Sequence, residues 1–262
     1  MPQPIFPKKS LGQNFLTDPN TARKIVAALR APEEGPVVEI GPGTGALTGL
    51  LMSRFSTVTA LEIDQRAVAH LQAQYPSLDA RHADVLAVDW AGLAAEKGGA
   101  LYVIGNLPYY ITSQILFGLL ESKPHVREAV LMMQVEVAQR LVAVPRTKEY
   151  GILSVLVQLH ARPELLFRVS RHVFYPKPDV TSAVIRLVFE GMEEPEPDVD
   201  PAFLRKVVRT AFNQRRKILH NSLHPWTRER GIDLPQDWRG RRAEELSPPA
   251  FVALARYLQE RL

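Results

Sequence analysis

Leu101–Tyr110 reads LYVIGNLPYY. Its first four residues are an apolar, β-rich run, the pattern of a buried strand, and Gly105-Asn106 ends that strand in a turn. Asn106 therefore stands at a strand's carboxyl end, the edge of an open α/β sheet where ligands bind. Pro108 fixes its own φ and pushes Leu107 into an extended conformation, so the Leu107 carbonyl has little freedom of direction. The Asn106 side-chain oxygen and that carbonyl make two aimed acceptors, enough for both hydrogens of one amino group, and Tyr109 offers a flat face for a ring. An exocyclic base amine has that shape. A strand-to-helix turn in which Asn and Pro do only turn work accounts for the same residues.

Upstream, the same strand-end arrangement recurs. Val37–Ile40 is a short strand followed by Gly41-Pro42-Gly43-Thr44-Gly45 and an apolar-periodic helix expected over 46–55. Glycines let the backbone approach a ligand, and the helix start beyond offers unpaired N–H groups. The G-x-G-x-G spacing lacks the final G-x-x-G of a pyrophosphate loop, and a plain tight turn gives a similar signal. The strand expected at 57–63 carries Glu62 near its end, seventeen residues beyond Gly45, where α/β nucleotide folds place an acid on ribose hydroxyls. Asp84 follows a third strand-like run, 77–82, where it can accept from an adenine amine. Each acid taken singly is also a good helix N-cap. The loop at Gly41, Glu62, Asp84 and Asn106 in one linear order make coincidence a poor account.

Six stretches carry a family resemblance: KKSLGQNFL (8–16), VVEIGPGTGALT (37–48), LEID (61–64), ADVL (83–86), NLPYYIT (106–112) and FYPKPDVTSAVIRL (174–187). Together they resemble the class I S-adenosylmethionine-dependent methyltransferases, and within them the ribosomal RNA adenine dimethyltransferases, most closely the branch acting on small-subunit (16S) rRNA. The resemblance implies N6,N6-dimethylation of two adjacent adenosines near that RNA's 3′ end, with S-adenosylmethionine as donor and no metal. It implies that Asn14, Leu16, Gly41, Gly43, Glu62, Asp84 and Asn106 line the donor. Asn14 stands where several relatives have His, and either side chain can hydrogen-bond the donor. Asn106, Leu107, Pro108 and Tyr109 form the acceptor loop, and Phe174 is placed to stack on a flipped base opposite Tyr109. The implied setting is the cytoplasm, with a monomer working on an immature small ribosomal subunit. A large-subunit rRNA methyltransferase, a non-catalytic nucleic-acid-binding factor of the same fold and a DNA amino-methyltransferase are the competing readings. The intact NLPY and donor motifs argue against lost catalysis.

The remaining segments frame this unit. Residues 7–17 form a polar arm bearing Lys8 and Lys9, which either frays or folds over something anionic. Asp18-Pro19 then caps a helix expected over 19–29. Helices are expected over 111–120 and 135–144 and a strand over 129–134. Residues 150–160 are apolar enough for strand or helix; helix is the expectation because a parallel return at 165–169 needs a crossover. Phe174–Pro178 makes an extended loop in which Lys177 can meet phosphate, before a strand at 182–189. Residues 191–201, GMEEPEPDVDP, carry five acids and no base, a linker composition. From Phe203 to Arg242 eleven Lys and Arg, among them Arg215, Arg216 and Lys217, face three acids, so this segment holds +8 of a chain whose net charge is +4. Concentrated positive charge is the footprint of a polyanion partner, nucleic acid being the usual one.

The fold expected is α/β: a Rossmann-like sheet with helices on both faces over residues 1–190, a linker at 191–200 and a small basic all-α domain at 201–262. Zero cysteines among 262 residues exclude disulfides, thiolate metal sites and a cysteine nucleophile. The amino terminus has no apolar stretch of the secretory kind, and nowhere do about 18 apolar residues run together, so no membrane partner is expected.

Overall fold

The computed structural model describes residues 5–192, 199–228 and 231–262. Its strands are β1 (Phe15–Leu16), β2 (Val37–Ile40), β3 (Val58–Glu62), β4 (Asp79–His82), β5 (Leu101–Asn106), β6 (Val126–Gln134), β7 (Arg162–Val169), β8 (Phe174–Tyr175) and β9 (Ser182–Val188). Seven of them form one sheet in the order β4-β3-β2-β5-β6-β9-β7, and β1 pairs with β8 in a separate ribbon. From β4 to β6 every pairing is parallel, whereas β9 runs antiparallel to both neighbours. The central strands β2 and β3 are buried along their whole length, Glu39, Thr59 and Glu62 included, as strands covered on both faces must be. The polar β4 lies at one edge and is partly exposed. β7, which contains Pro163, holds the other edge, the part of a sheet that tolerates proline.

After β2 the chain lays β3 and β4 on one side, then returns to place β5 on the other. The loops leaving β2 and β5 thus diverge at adjacent strand ends, Ile40 opposite Gly105, and the crevice between them is the topological switch point. A side-chain carbon at Gly105 would fall 2.6 Å from the Ile40 carbonyl oxygen, so this close approach admits only glycine.

Several expectations shift. The first helix, Pro19–Ala28, is capped by Asp18 accepting from Thr21 N–H, as read from the sequence. The helix after β2 is only Thr48–Met52, because Gly43 and Gly45 take positive φ and hold residues 43–47 in turns. The crossover Ile152–His160 is helical. The strand it feeds runs in the same direction as β6, but β9 is inserted between them, so the parallel pairing expected there is absent.

The chain separates into two compact units, one of residues up to Ala138 with Arg162–Gly191, the other Gln139–Ala161 with Met192–Leu262. The division differs from the expected one at 190 and 201: residues 139–161 belong with the carboxy-terminal helices. Apolar anchoring within the second unit explains this. Tyr150 is fully buried, its hydroxyl donates to the Leu246 carbonyl at 2.8 Å, and Phe212 packs between its ring and that of Phe251. Helix Pro201–Asn213 contributes Leu204, Val207, Val208 and Ala211 at helical spacing. Most of the acidic linker, 193–198, lies outside the described residues, as does Arg230 of the basic segment.

Candidate active site

A pocket opens at the carboxyl ends of β2, β3 and β5, lined by residues 11–16, 39–44, 61–63, 83–85 and 106–111, with Ala46 and Leu47. Asn14, Leu16, Gly41, Gly43, Glu62, Asp84, Asn106, Leu107, Pro108 and Tyr109 all lie on its wall.

Glu62 ends β3 almost wholly buried. One carboxylate oxygen accepts the Gly43 N–H at 3.0 Å, the other the Asp64 N–H at 2.9 Å. Burial raises its pKa, while these two backbone donors pull the other way. Each oxygen retains acceptor capacity for a ligand hydroxyl. Gly43, at φ +55°, reaches this carboxylate because it is glycine, and a side-chain carbon there would also meet the Phe15 ring at 3.0 Å.

Asp64 is buried and clasped by Arg66, whose guanidinium donates to both its oxygens at 3.0 and 2.6 Å, and the Gln13 amide donates to it at 3.2 Å. The Arg66 hydrogen bonds hold its pKa down at about 2. Lys8 approaches the same carboxylate at 3.7 Å. Asp84 is exposed and caps the short turn Val85–Ala87 by accepting Leu86 N–H at 2.9 Å, so it is both N-cap and pocket wall.

At the other end, the Leu107 N–H donates to the Met132 carbonyl at 2.9 Å, which ties the acceptor loop to β6. The Asn106 Nδ2 donates to the Asn14 backbone carbonyl at 3.0 Å, turning its Oδ1 away from the arm. Thr112 Oγ1 donates to the Pro108 carbonyl, and the Tyr109 hydroxyl pairs with Ser182 Oγ at 2.8 Å. Partial burial of Tyr109 raises its pKa.

The arm does not fray. Phe15 and Leu16 pair with Tyr175 and Phe174, and Thr17 donates to the Val173 carbonyl through its N–H and its hydroxyl. That pairing also places Phe174. Adjacent strand residues face opposite ways, and here Phe174 points into the core at 5% exposure while Tyr175 faces out. The structure therefore does not bring Phe174 to the pocket wall as expected. It packs in the core cluster that contains Leu16.

Among the basic residues, Lys8, Lys9, Lys177, Arg216 and Lys217 are exposed. Arg215 is engaged inside its own unit: it donates to Glu244 at 2.6 Å and to the carbonyls of Lys148 and Thr147. Sequence reasoning also missed Glu39. This residue is buried in the middle of β2, accepts the Thr48 hydroxyl at 2.7 Å, and burial pushes its pKa up to about 8. Ile63 and Val85 were missed too. Ile63 lines the pocket while 47% exposed, an apolar face fit for a flat ring, and its only signal was its place beside Glu62. No helix among the described residues is long and apolar enough to cross a membrane, and none of their His, Cys, Asp and Glu side chains gather in threes to hold a metal ion.

A family model described as ribosomal RNA adenine dimethylase matches residues 7–260. The chain belongs to the ribosomal RNA adenine dimethylase family. Within it, the chain is 57% identical over 255 residues to the ribosomal RNA small subunit methyltransferase A of Salinibacter ruber, covering 97% of this chain and 86% of that one. It is 49% identical to the protein of the same name from Prosthecochloris aestuarii, with 84% and 82% covered. The fold matches a dimethyladenosine transferase from Plasmodium falciparum at a TM-score of 0.77 and 24% identity, covering 94% of this chain and 96% of that one. It also matches the 23S rRNA methyltransferase ErmE at 0.66 and 27%, covering 94% and 100%. As a family member the chain is a Rossmann-like methyltransferase dependent on S-adenosylmethionine.

Proposed function

We propose that this enzyme converts adenosines of small-subunit (16S) rRNA to N6,N6-dimethyladenosine, with S-adenosylmethionine as donor. The observation that carries the reading is the Asn106 amide, anchored through Nδ2 so that Oδ1 is the end left for a substrate, in the same pocket as the buried Glu62. The names of the small-subunit relatives support the choice of RNA.

The pocket's chemistry suits the donor. Glu62 takes the ribose hydroxyls, Asp84 the adenine amine, and Ile63 and Val85 the ring, while Asn14, Leu16, Gly41 and Gly43 line the rest. When bound, S-adenosylmethionine supplies an electrophilic methyl carbon on a sulfonium. Adenine N6 is a poor nucleophile because its lone pair is delocalised into the ring. Asn106 Oδ1 and the Leu107 carbonyl hold the amine's two hydrogens and localise that lone pair, an effect of orientation and electrostatics that asks for no side-chain base. Attack breaks the methyl–sulfur bond and leaves a cationic N6 whose acidic proton passes to water; a single hydrogen then remains, and one acceptor still holds it. Tyr109 supplies the stacking face, its hydroxyl fixed by Ser182. Phe174 pairs with Leu16 of the arm and shares its core cluster.

The finer reading is two adjacent adenosines near the 3′ end of the RNA, presented on an immature subunit to a monomer in the cytoplasm. The second unit, with Arg216 and Lys217, and Lys8, Lys9 and Lys177 of the first, contact phosphates. Labelled S-adenosylmethionine incubated with small or large subunits lacking methylation, followed by mapping of the modified bases, tests this. Label in adjacent adenosines of the small subunit is expected. Label confined to the large subunit overturns it in favour of the reading that ErmE represents.

A further inference from the structure

We propose that Gln13 is a positioning residue: by latching the amino-terminal arm to Asp64 it holds the Asn14 carbonyl where that carbonyl sets the orientation of the Asn106 amide. This rests on the reading that Asn106 Oδ1 accepts from the substrate amine.

An asparagine amide presents a donor at one end and an acceptor at the other, in nearly the same shape. Which end faces the substrate is decided by the partner of the opposite end. For Asn106 that partner is a backbone carbonyl, which only accepts, so Nδ2 must turn toward it and Oδ1 away. The carbonyl belongs to Asn14, 92 positions earlier and on no element of the main sheet. Its position is only as secure as the arm. On the carboxyl side the two-residue ribbon with β8 holds Phe15 and Leu16. On the amino side Gly12 is in the left-handed region, and Gln13 makes the tie nearest to Asn14, with Lys8 3.7 Å from the same Asp64 carboxylate and the Phe6 carbonyl accepting from Arg66 at 3.3 Å further along the arm. The Gln13 amide uses both ends: its Oε1 accepts the Lys8 N–H at 2.8 Å and its Nε2 donates to Asp64 at 3.2 Å. Asp64 is a firm anchor, its side chain 1% exposed and gripped by Arg66. The Asp64 N–H in turn donates to Glu62. A continuous chain of hydrogen bonds and one peptide thus runs from the carboxylate at one end of the pocket, through Asp64, Gln13 and Asn14, to the amide at the other.

The test uses the full-length enzyme with saturating S-adenosylmethionine and undermethylated small subunits. Gln13→Ala should lower kcat by roughly tenfold, the loss expected for one hydrogen bond to a charged group, while KM for the subunit stays within about twofold. Hydrogen exchange at Asn14–Leu16 should accelerate, and Gln13→Lys, whose ammonium also reaches Asp64, should recover most of the rate. The decisive comparison is Gln13→Ala made in an Asn106→Ala background. If Gln13 acts through Asn106, the second substitution adds nothing to the first. An equal tenfold loss in both backgrounds, or an unchanged kcat with an arm that exchanges freely, overturns the latch. Near-normal turnover of Asn106→Ala by itself would instead remove the reading on which the latch rests, so the two failures are distinguishable.

Discussion

The two ends of the pocket are built in different ways. At the end we propose for the donor, Glu62 receives hydrogen bonds from Gly43 and Asp64, both in backbone continuous with neighbouring strands of one sheet. At the acceptor end, Asn106 also sits at a strand terminus, but its side chain takes its direction from a carbonyl on the arm. The Glu62 contacts at the first end are complete once the sheet has formed, although Asn14 and Leu16 of the arm add to the wall there. The direction of the Asn106 amide at the second is set only when the arm is in place. Damage at the donor end should therefore appear as lost affinity, and damage at the acceptor end as lost rate.

The sharpest way to break this contrast is at Asn106. Asn106→Ala removes an acceptor from the reacting amine, and kcat should fall by about 10² to 10³, by analogy with deleting one preorganised hydrogen-bonding group from an active site. Affinity for the donor, measured by calorimetry, should change little. A variant that turns over normally would reduce Asn106 to a turn residue.

Glu62→Ala probes the opposite end. Loss of a charged acceptor should weaken donor binding by roughly 10- to 150-fold, the equivalent of about 1.5 to 3 kcal/mol. With saturating donor, kcat should stay near normal. A large kcat loss that saturation cannot repair would show that the two ends do not divide affinity from rate.

The third effect is one of stability and belongs to the donor end. Below its pKa of about 8 the buried Glu39 carboxyl keeps its proton in the folded chain, whereas in an unfolded chain it ionises near its ordinary value of 4.5. The folded state therefore holds an extra proton across that window, and its stability falls as pH rises, by up to about 1.4 kcal/mol per pH unit. Glu39→Gln retains an acceptor for Thr48 and removes the titration. Urea unfolding at pH 5 and pH 8 should show the wild type losing ground to the variant as pH increases. A difference that stays constant with pH would mean that Glu39 is already ionised under the glycine loop.

That Gly41, Glu62 and Asp84 would meet on one pocket wall was legible in the sequence because the signals are local. Gly41–Gly45 punctuates a short apolar strand, and Glu62 and Asp84 stand where other strands stop. What escaped depends on distant partners. Glu39 reads as an ordinary polar residue in a strand until the sheet buries it on both faces. The fate of the arm turned on a pairing with Phe174 and Tyr175, more than 150 positions away, as the Thr17 contact to Val173 shows. The same pairing fixed which of these two aromatics faces inward, and one step of strand alternation separates a stacking platform from a core residue. Likewise, Arg215 looked like its neighbour Arg216 in a charge count, yet only the folded unit shows that Glu244 and two carbonyls already engage it. The helix at 152–160 was not decided by periodicity but expected from the crossover a parallel return needs, and its allegiance to the carboxy-terminal unit comes from the setting of Tyr150, which periodicity does not carry either.

Gly105 connects these two ends in one further respect. With the Ile40 carbonyl oxygen 2.6 Å from where its side chain would begin, even alanine would act as a wedge between β2 and β5. The loops bearing Gly41 and Asn106 leave from those two strand ends, so a wedge there would widen the space between the places proposed for the methyl donor and its acceptor. On that proposal, the gap a methyl group has to cross is gauged by a position that carries no side chain at all.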